Sequence, residues 1–593
     1  MRKHVVILGA GYGGVSAAKR LAKLAKKSPE IEITLIDKYP THNLITELHE
    51  VAGNRILPED LQISLNRLFE STKVNVLQDK INEIDFDSKT LSSDEHIYEY
   101  DYLILGAGSQ PADYGVEGVK ENAFTLWSID DAKKINEHIK NCFQKAQCES
   151  DPQRRRELLS FVVAGGGFTG VEMVGELITW FDELSKQYGI PRKDVDLYLV
   201  EGLDRILPNL KDELVDKALE YLKKKNVEVK TGSFITAVNE NSVVLQNDVE
   251  ISTNTVIWTC GVKGAEIVEE LELEKDKSER LIVNEYLQLT DYPEVFAIGD
   301  NSAAPWADED TLPALVESAM QTGECAANNV YSEITGKEKE NIEAALHGVM
   351  VSIGGDFAVA DVTGLSLKGR PAMLLKHLVN MHYLFNIGGI KEGFSLIDEY
   401  IHDQASHKGL VSQLFSFFSA TSRSLWLVPL RIFVGIMWLY EGYTKVRDGW
   451  LLSGDYLVSG ASSSPIGDYA VGWYVWLNEA IIFKFPLFFQ IVVTLSMIGI
   501  GISLIFGLFA SLGALGSVGF SINFLLAGQY AHWSSEYPGH FSPLFWFLFA
   551  SIALIGSGRS FGLDYYVLPW LKKIIWRRPK NKESHLKEVV SKK

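Results

Sequence analysis

The sequence predicts an α/β protein with two Rossmann-like dinucleotide-binding domains, followed by an all-α transmembrane four-helix domain. Three observations carry this reading. An apolar run at 4–8 leads into Gly9-Ala10-Gly11-Tyr12-Gly13-Gly14, then a helical stretch at 15–27 and a strand at 31–36 that ends in Asp37. The same order of strand, glycine turn, helix, strand and acid returns at 158–163, Ala164-Gly165-Gly166-Gly167-Phe168-Thr169-Gly170, and a strand at 195–200 ending in Glu201. Near the other end, residues 485–535 run for 51 positions without a charged side chain, far beyond the roughly 20 apolar residues that one bilayer crossing needs.

A chain of 593 residues is too long for a single core and implies several domains. Its formal net charge of -19 excludes a nucleic-acid binder, which needs a basic face to meet phosphates. Cys142, Cys148, Cys260 and Cys325 form no CxxC or other tight spacing, so free cytosolic thiols are expected. Met1-Arg2-Lys3-His4 leads into an apolar run too short for a secretory signal, which predicts a cytosolic first domain.

Each glycine turn has a physical purpose. Gly9, Gly11 and Gly14, like Gly165, Gly167 and Gly170, permit the tight turn and the approach of a pyrophosphate to the backbone N–H groups of a helix N-terminus. Asp37 and Glu201 stand where a carboxylate accepts hydrogen bonds from an adenosine ribose. A 2′-phosphate would be repelled by Glu201, which favours NADH over NADPH. Two such units in one chain imply an electron-transferring flavoprotein, one unit holding FAD and the other bringing a nicotinamide to it.

These residues resemble the type II NADH dehydrogenases (NADH:quinone oxidoreductases), of glutathione-reductase-like architecture, over residues 1–400. The shared points are Gly9 to Gly14, Leu48-His49-Glu50 with Ala52-Gly53, Gly165 to Glu172 with Gly175-Glu176-Leu177, Trp258 to Gly261, and Phe296-Ala297-Ile298-Gly299-Asp300. The resemblance implies FAD at Gly9, Ala10, Gly11, Tyr12, Gly13, Gly14 and Asp37, with Lys38 and Ile81 at the adenine end. It also places Asp300 at the ribityl chain and Val316 beside the flavin, and NADH at Gly165, Gly167, Gly170 and Glu201. Glu172 matches a catalytic glutamate near the nicotinamide and flavin; a carboxylate there orients the nicotinamide or relays a proton. As a plain helix-terminal acid it would be favoured by the helix dipole alone. The family's Ala-Gln-x-Ala-x-Gln becomes Val316-Glu317-Ser318-Ala319-Met320-Gln321 here, so Glu317 and Gln321 are the candidate quinone-site residues. A carboxylate in place of the first amide removes two donors.

Related chemistries fit less well. Dithiol reductases need a cysteine pair beside the flavin, and residues 9–44 contain no cysteine. Sulfide:quinone oxidoreductases need flavin-side cysteines, which Cys260 and Cys325 could supply, but leave the unit around Gly165 and Glu201 without a role. A redox-sensing membrane scaffold that binds NADH without turnover is the non-enzymatic alternative. No metal site is expected.

The later region, 430–566, is similar to the DoxX family of four-span membrane proteins through Arg431-x3-Gly435, Leu439-x2-Gly442-x2-Lys445 and Gly558-Arg559-x2-Gly562-Leu563-Asp564. Spans are expected near 425–443, 485–507, 511–527 and 541–556. Residues 571–593 carry nine Lys and Arg against two Glu, which places that end in the cytosol by the positive-inside bias. Glu441 and Lys445, four apart, are spaced to pair. Residues 370–385 show apolar positions at helical spacing (Leu374, Leu375, Leu378, Met381, Leu384, Phe385), either packed on a core or lying on a membrane surface.

The expected organisation is an FAD-binding domain at 1–115 and 286–330, an NADH-binding domain at 116–285, a membrane-facing segment at 331–405, a linker at 406–424, the four-span domain at 425–570 and a basic tail at 571–593. The expected activity is non-proton-pumping transfer from NADH through FAD to a membrane quinone of the menaquinone type. The alternative is the same chemistry feeding a dedicated pool such as demethylmenaquinone for export of electrons from the cell. The expected partners are NADH, quinone and the lipid bilayer, with homodimerisation left open.

Overall fold

The computed structural model describes residues 2–28, 30–246, 248–306, 311–405, 427–454, 470–527 and 543–555, with positions 557, 562–564 and 567. It divides into two compact units, Met1–Ala420 and Thr421–Lys593. The expected linker at 406–424 and the basic tail at 571–593 lie outside the described residues.

In the first unit, strand Lys3–Leu8 runs through the middle of a five-stranded parallel sheet. Tyr102–Leu105 and Ile31–Asp37 flank it, with Val295–Ala297 and Val74–Gln78 at the edges. Val5, Val6 and Ile7 are fully buried, as a parallel strand covered on both faces requires, so the sequence shows a continuous apolar run there instead of an alternation. The second sheet repeats the plan. Ser160–Ala164 lies between Asp196–Val200 and Thr255–Trp258, with Glu228–Lys230 and Phe124–Thr125 outside. In both sheets the glycine turn leaves the central strand where the order of neighbours reverses, the position at which open α/β sheets bind ligands.

An antiparallel three-stranded sheet accompanies each parallel one: Ile81–Asp85, Thr90–Ser93 and Ile97–Glu99 in the first case, Ile235–Val238, Ser242–Leu245 and Val249–Ser252 in the second. Helix Val316–Thr335 packs on helix Tyr12–Leu24, and their backbones meet at Gly13 and Gly323. A Cβ on Gly323 would lie 2.3 Å from the Gly13 carbonyl oxygen, so only glycine admits this approach. The contact brings the first turn of Val316–Thr335 to the first glycine turn.

A further antiparallel sheet, Gly348–Ser352, Ala358–Val362 and Leu365–Lys368, precedes the helical segment Arg370–Ala405, which kinks at Gly389. The chain reverses there, and the Tyr400 hydroxyl comes back to 2.7 Å from His377 Nδ1. The first part of this segment is amphipathic in an unexpected sense. Ala372, Met373, Lys376 and His377 are buried, whereas Leu374, Leu378 and Val379 are exposed.

In the second unit, helices Leu427–Arg447, Pro486–Phe506, Ala510–Leu526 and Pro543–Ala553 fall on the four expected segments. Among the described residues, one of them, Pro486–Phe506, is long and apolar enough to cross a membrane. Leu427–Arg447 and Pro486–Phe506 cross at glycines, with a Cβ on Gly501 falling 2.8 Å from the Gly435 oxygen. Small residues at such crossings let helix backbones approach. Arg431 is buried and donates to the Ser557 carbonyl at 2.8 Å. The expected Glu441–Lys445 pair does not form, because the Lys445 ammonium turns onto the Trp450 ring, 3.8 Å from its centroid.

Candidate active site

The two glycine turns are built alike. Gly9 and Gly165 take φ of +98° and +102°, and a Cβ on either would collide with a neighbouring backbone oxygen. Gly14 and Gly170 would each place a Cβ 1.8 Å from the oxygen of Gly9 or Gly165. They serve the packing of helix onto turn and are not part of the cavity wall. At Gly11 and Gly167, the N-caps of helices Tyr12–Leu24 and Phe168–Tyr188, nothing lies within 4 Å of a Cβ. That open backbone is what a pyrophosphate needs.

Each acid closes its own turn. Asp37 accepts from the Ala10 N–H at 2.6 Å and the Tyr39 N–H at 2.8 Å. Glu201 accepts from the Gly166 N–H at 2.5 Å and the Leu203 N–H at 2.7 Å. Burial raises the Asp37 carboxyl above its ordinary value, although these N–H groups oppose the rise.

Both turns open onto one cavity of about 1570 Å³. Its wall includes Gly9 to Gly13, Asp37, Lys38, Gly165, Gly167, Glu172, Glu201, Asp300, Val316 and Glu317. Ile81 is absent from the wall, buried in the hydrophobic core beside its own sheet. Gln321 is absent too. Its amide donates to the Ala345 carbonyl at 2.9 Å and accepts from the Ala345 N–H at 2.9 Å, so both ends are spent on backbone. Asp300 is largely buried, accepts from the Ser109 hydroxyl at 2.8 Å, and is raised by its burial. A single cavity onto which two glycine turns open, each turn closed by an acid, has the make-up of a site for FAD and a nicotinamide dinucleotide.

A buried charged cluster lies against this cavity, and most of it was invisible in the sequence. The Lys376 ammonium donates to Glu47 Oε2 at 2.7 Å, Glu50 Oε1 at 3.2 Å and Ser352 Oγ at 3.1 Å. Ser352 in turn donates its hydroxyl and its N–H to Glu172 Oε1, both at 3.1 Å. Arg55 holds Glu176 through two bonds of 2.8 Å and Glu50 at 2.5 Å. The grouping of Glu47, His49 and Glu50 has the composition of a metal site, but Lys376 and Arg55 already supply its counter-charge.

Four carboxylates (Glu47, Glu50, Glu172, Glu176) face two cations (Arg55, Lys376) here, so the cluster favours holding protons. Burial drives Glu47 up to about 8 despite Lys376, and Glu172 up to about 7. Burial also acts on Glu50, but Arg55 and Lys376 outweigh it and hold that carboxyl well below the usual range. Burial lowers Lys376, yet Glu47, Glu50 and Glu172 keep it raised and charged. His49 is kept neutral by burial and by Lys376. His42 is neutral as well, its pKa lowered by burial to about 4. Its Nδ1–H donates to the Ala10 oxygen at 2.9 Å, so Nε2 accepts from the Tyr383 hydroxyl at 2.7 Å.

Comparison with known proteins agrees with this geometry. Residues 3–323 match the pyridine nucleotide-disulphide oxidoreductase family. The type II NADH:quinone oxidoreductase of Staphylococcus saprophyticus is 35% identical over 397 residues, covering 66% of this chain and 98% of the relative. The chain belongs to the type II NADH:quinone oxidoreductases. It is an FAD-dependent oxidoreductase, and the Staphylococcus aureus member of the family is 34% identical over the same length. Among solved structures, the Plasmodium falciparum enzyme in complex with NADH is similar with a TM-score of 0.60 and 19% identity, covering 68% of this chain and 98% of that one. The sulfide:quinone oxidoreductase of Aquifex aeolicus shares the fold at a TM-score of 0.54 and 19% identity. In this type II enzyme Cys260 is on the cavity wall, but burial and Glu201 push its thiol up to about 12. A thiol so raised is a poor nucleophile for sulfur chemistry.

Proposed function

We propose that the chain is a membrane-bound, non-proton-pumping enzyme that takes hydride from NADH and passes two electrons to a quinone of the menaquinone type. One observation carries this furthest. The helical segment beginning at Arg370 turns Leu374 and Leu378 outward while Lys376 reaches inward to the wall of the dinucleotide cavity. An apolar outer face rimming a redox cavity suits an acceptor that arrives from lipid.

FAD, when bound, supplies the exchange between two-electron donor and quinone. The protein's own residues supply position and protons. The open N–H groups at Gly11 and Gly167 hold the two pyrophosphates. Asp37, Lys38 and Asp300 line the FAD side, and Glu201 selects the unphosphorylated ribose of NADH. Glu172, Ser352, Lys376 and Glu47 form a hydrogen-bonded chain in which Glu172 and Glu47 hold protons near neutral pH, suited to passing one to the quinone.

Helices Leu427–Arg447, Pro486–Phe506, Ala510–Leu526 and Pro543–Ala553 support a four-span, DoxX-like domain, with both ends of the chain cytosolic. That domain anchors the enzyme to the bilayer or directs it to a particular quinone. The fused helical unit and Glu317 favour a second reading, in which the enzyme serves a dedicated pool such as demethylmenaquinone for electron export. Preference for that quinone in a panel would support it.

Steady-state NADH oxidation by detergent-purified protein, full-length and cut after Asp403, tests the first reading with several quinones and with NADPH. Rapid turnover with NADH and quinone in both forms is expected. Reduction of the flavin by NADH without quinone turnover would defeat it.

A further inference from the structure

At the cavity wall, helix Val316–Thr335 grips the segment 345–347 by a ladder of side chain to backbone bonds. Gln321 takes both polar groups of Ala345, as above. One turn earlier, Glu317 Oε2 accepts from the His347 N–H at 2.9 Å, and Glu317 Oε1 lies 2.6 Å from His347 Nδ1. An ionised carboxylate has no proton to give, so Nδ1 carries the hydrogen of that bond. Nε2 is therefore the nitrogen left to exchange protons, and among the described residues it has no hydrogen-bond partner. Glu317 and His347 both line the cavity, as do Val349, Met350 and Val379. His347 is also 62% exposed, which gives its ring a route to water.

We infer that Glu317 and His347 form an acid pair for the quinone: Glu317 orients the ring, and His347 Nε2 hydrogen-bonds one quinone oxygen and protonates it. The inference rests on the quinone reading above: the buried cluster relays the proton that the hydride brings, and His347, outside that cluster, supplies the second. A carboxylate that fixes one imidazole nitrogen so that the other handles a proton is a recurrent catalytic arrangement. It also returns a donor to a site where Glu317 has none and where Gln321 is held on the Ala345 backbone, off the cavity wall.

The balance closes. Quinone takes two electrons and two protons to become quinol. The hydride of NADH brings both electrons and one proton. The second proton leaves the Nε2–H bond of the His347 imidazolium, forms an O–H bond on the quinone, and is replaced on Nε2 from solvent.

The test uses full-length protein in detergent with NADH and two acceptors: menadione, which must be protonated, and ferricyanide, which takes electrons alone. His347→Ala and Glu317→Ala should each lower kcat/KM for menadione by about 100-fold, the low end of what a general acid contributes. Ferricyanide turnover should fall by much less. Imidazole in the buffer should restore menadione turnover to His347→Ala but not to Glu317→Ala, and the double variant should be no worse than the poorer single one. Menadione turnover in His347→Ala within twofold of wild type would overturn the inference. Equal losses with both acceptors, or no effect of imidazole, would also overturn it in favour of a structural role. Wild-type enzyme that reduces ferricyanide but no quinone would bring down the quinone reading itself, and this inference with it.

Discussion

The Ser352 hydroxyl donates to Glu172 while accepting from Lys376, each at 3.1 Å. A residue at the end of strand Gly348–Ser352 thus joins an acid from helix Phe168–Tyr188 to a base that follows more than twenty residues later. Ser352→Ala removes the bridge without removing either ionisable group. Quinone turnover should fall on the order of tenfold, less than the roughly 100-fold or more that outright loss of a general acid costs, while flavin reduction by NADH in a stopped-flow experiment changes little. Equal loss in both half-reactions would show that Ser352 only supports the local fold.

Glu172 makes stability depend on pH in a defined direction. Its carboxyl ordinarily titrates at 4.5 and here at about 7, chiefly through burial. Between those values the folded chain keeps a proton that the unfolded chain has released, so stability falls as pH rises through that window. The cost is complete above it and bounded at about 3 kcal/mol. Glu172→Gln cannot ionise, yet its amide oxygen still accepts from Ser352. Its melting temperature should exceed that of wild type at pH 8.5, with the gap closing near pH 5. A gap that ignores pH would contradict the raised carboxyl.

Arg55 ties two buried carboxylates together, Glu50 and Glu176. Replacing it by methionine strands both, and removing one partner from a buried pair costs about 3–5 kcal/mol. Thermal melting should show a large drop and a loss of retained flavin. Arg55→Lys should recover part of the loss only, because an ammonium cannot reproduce the paired bonds to Glu176. Wild-type melting in Arg55→Met would mean that the cluster relaxes by protonation at no cost.

The proposed role of Glu201, choosing between NADH and NADPH, is testable by substitution. Hydrogen bonds to a charged group are worth about 1.5–3 kcal/mol, so Glu201→Ala should lower kcat/KM for NADH by about 10- to 100-fold. NADPH, freed of the repulsion, should lose little or gain. Saturation kinetics with both nucleotides read this directly, and an unchanged NADH-to-NADPH ratio would remove Glu201 from the ribose site.

Much of the two strand–turn–helix units was legible because it is local. Gly9, Gly11 and Asp37, like Gly165, Gly167 and Glu201, signal within some 30 or 40 residues what a strand, a turn and a helix N-terminus must do. Asp300 and Val316 also fall on the cavity wall. Ile81 and Gln321 were placed there by family resemblance, yet one belongs to the core and the other to a backbone clamp. Lys376 gave no signal at all. In sequence it is a lysine in an apolar helical pattern, which ordinarily reads as a solvated position.

The helix from Arg370 shows why. Apolar spacing determined that a helix forms and that one face is greasy, since local periodicity fixes both. Which face turns inward depends on what waits there. Glu47 and Glu50, more than 300 residues earlier, draw Lys376 into the interior at 2.7 and 3.2 Å and leave Leu374 and Leu378 outside. The sequence by itself determined two dinucleotide turns, their acids and an apolar tail. The tertiary structure alone decided the proton-holding cluster and the Glu317–His347 pair. Both are made of charges whose partners are distant in the chain, and a buried charge is tolerated only where the fold brings its counter-charge within hydrogen-bond reach.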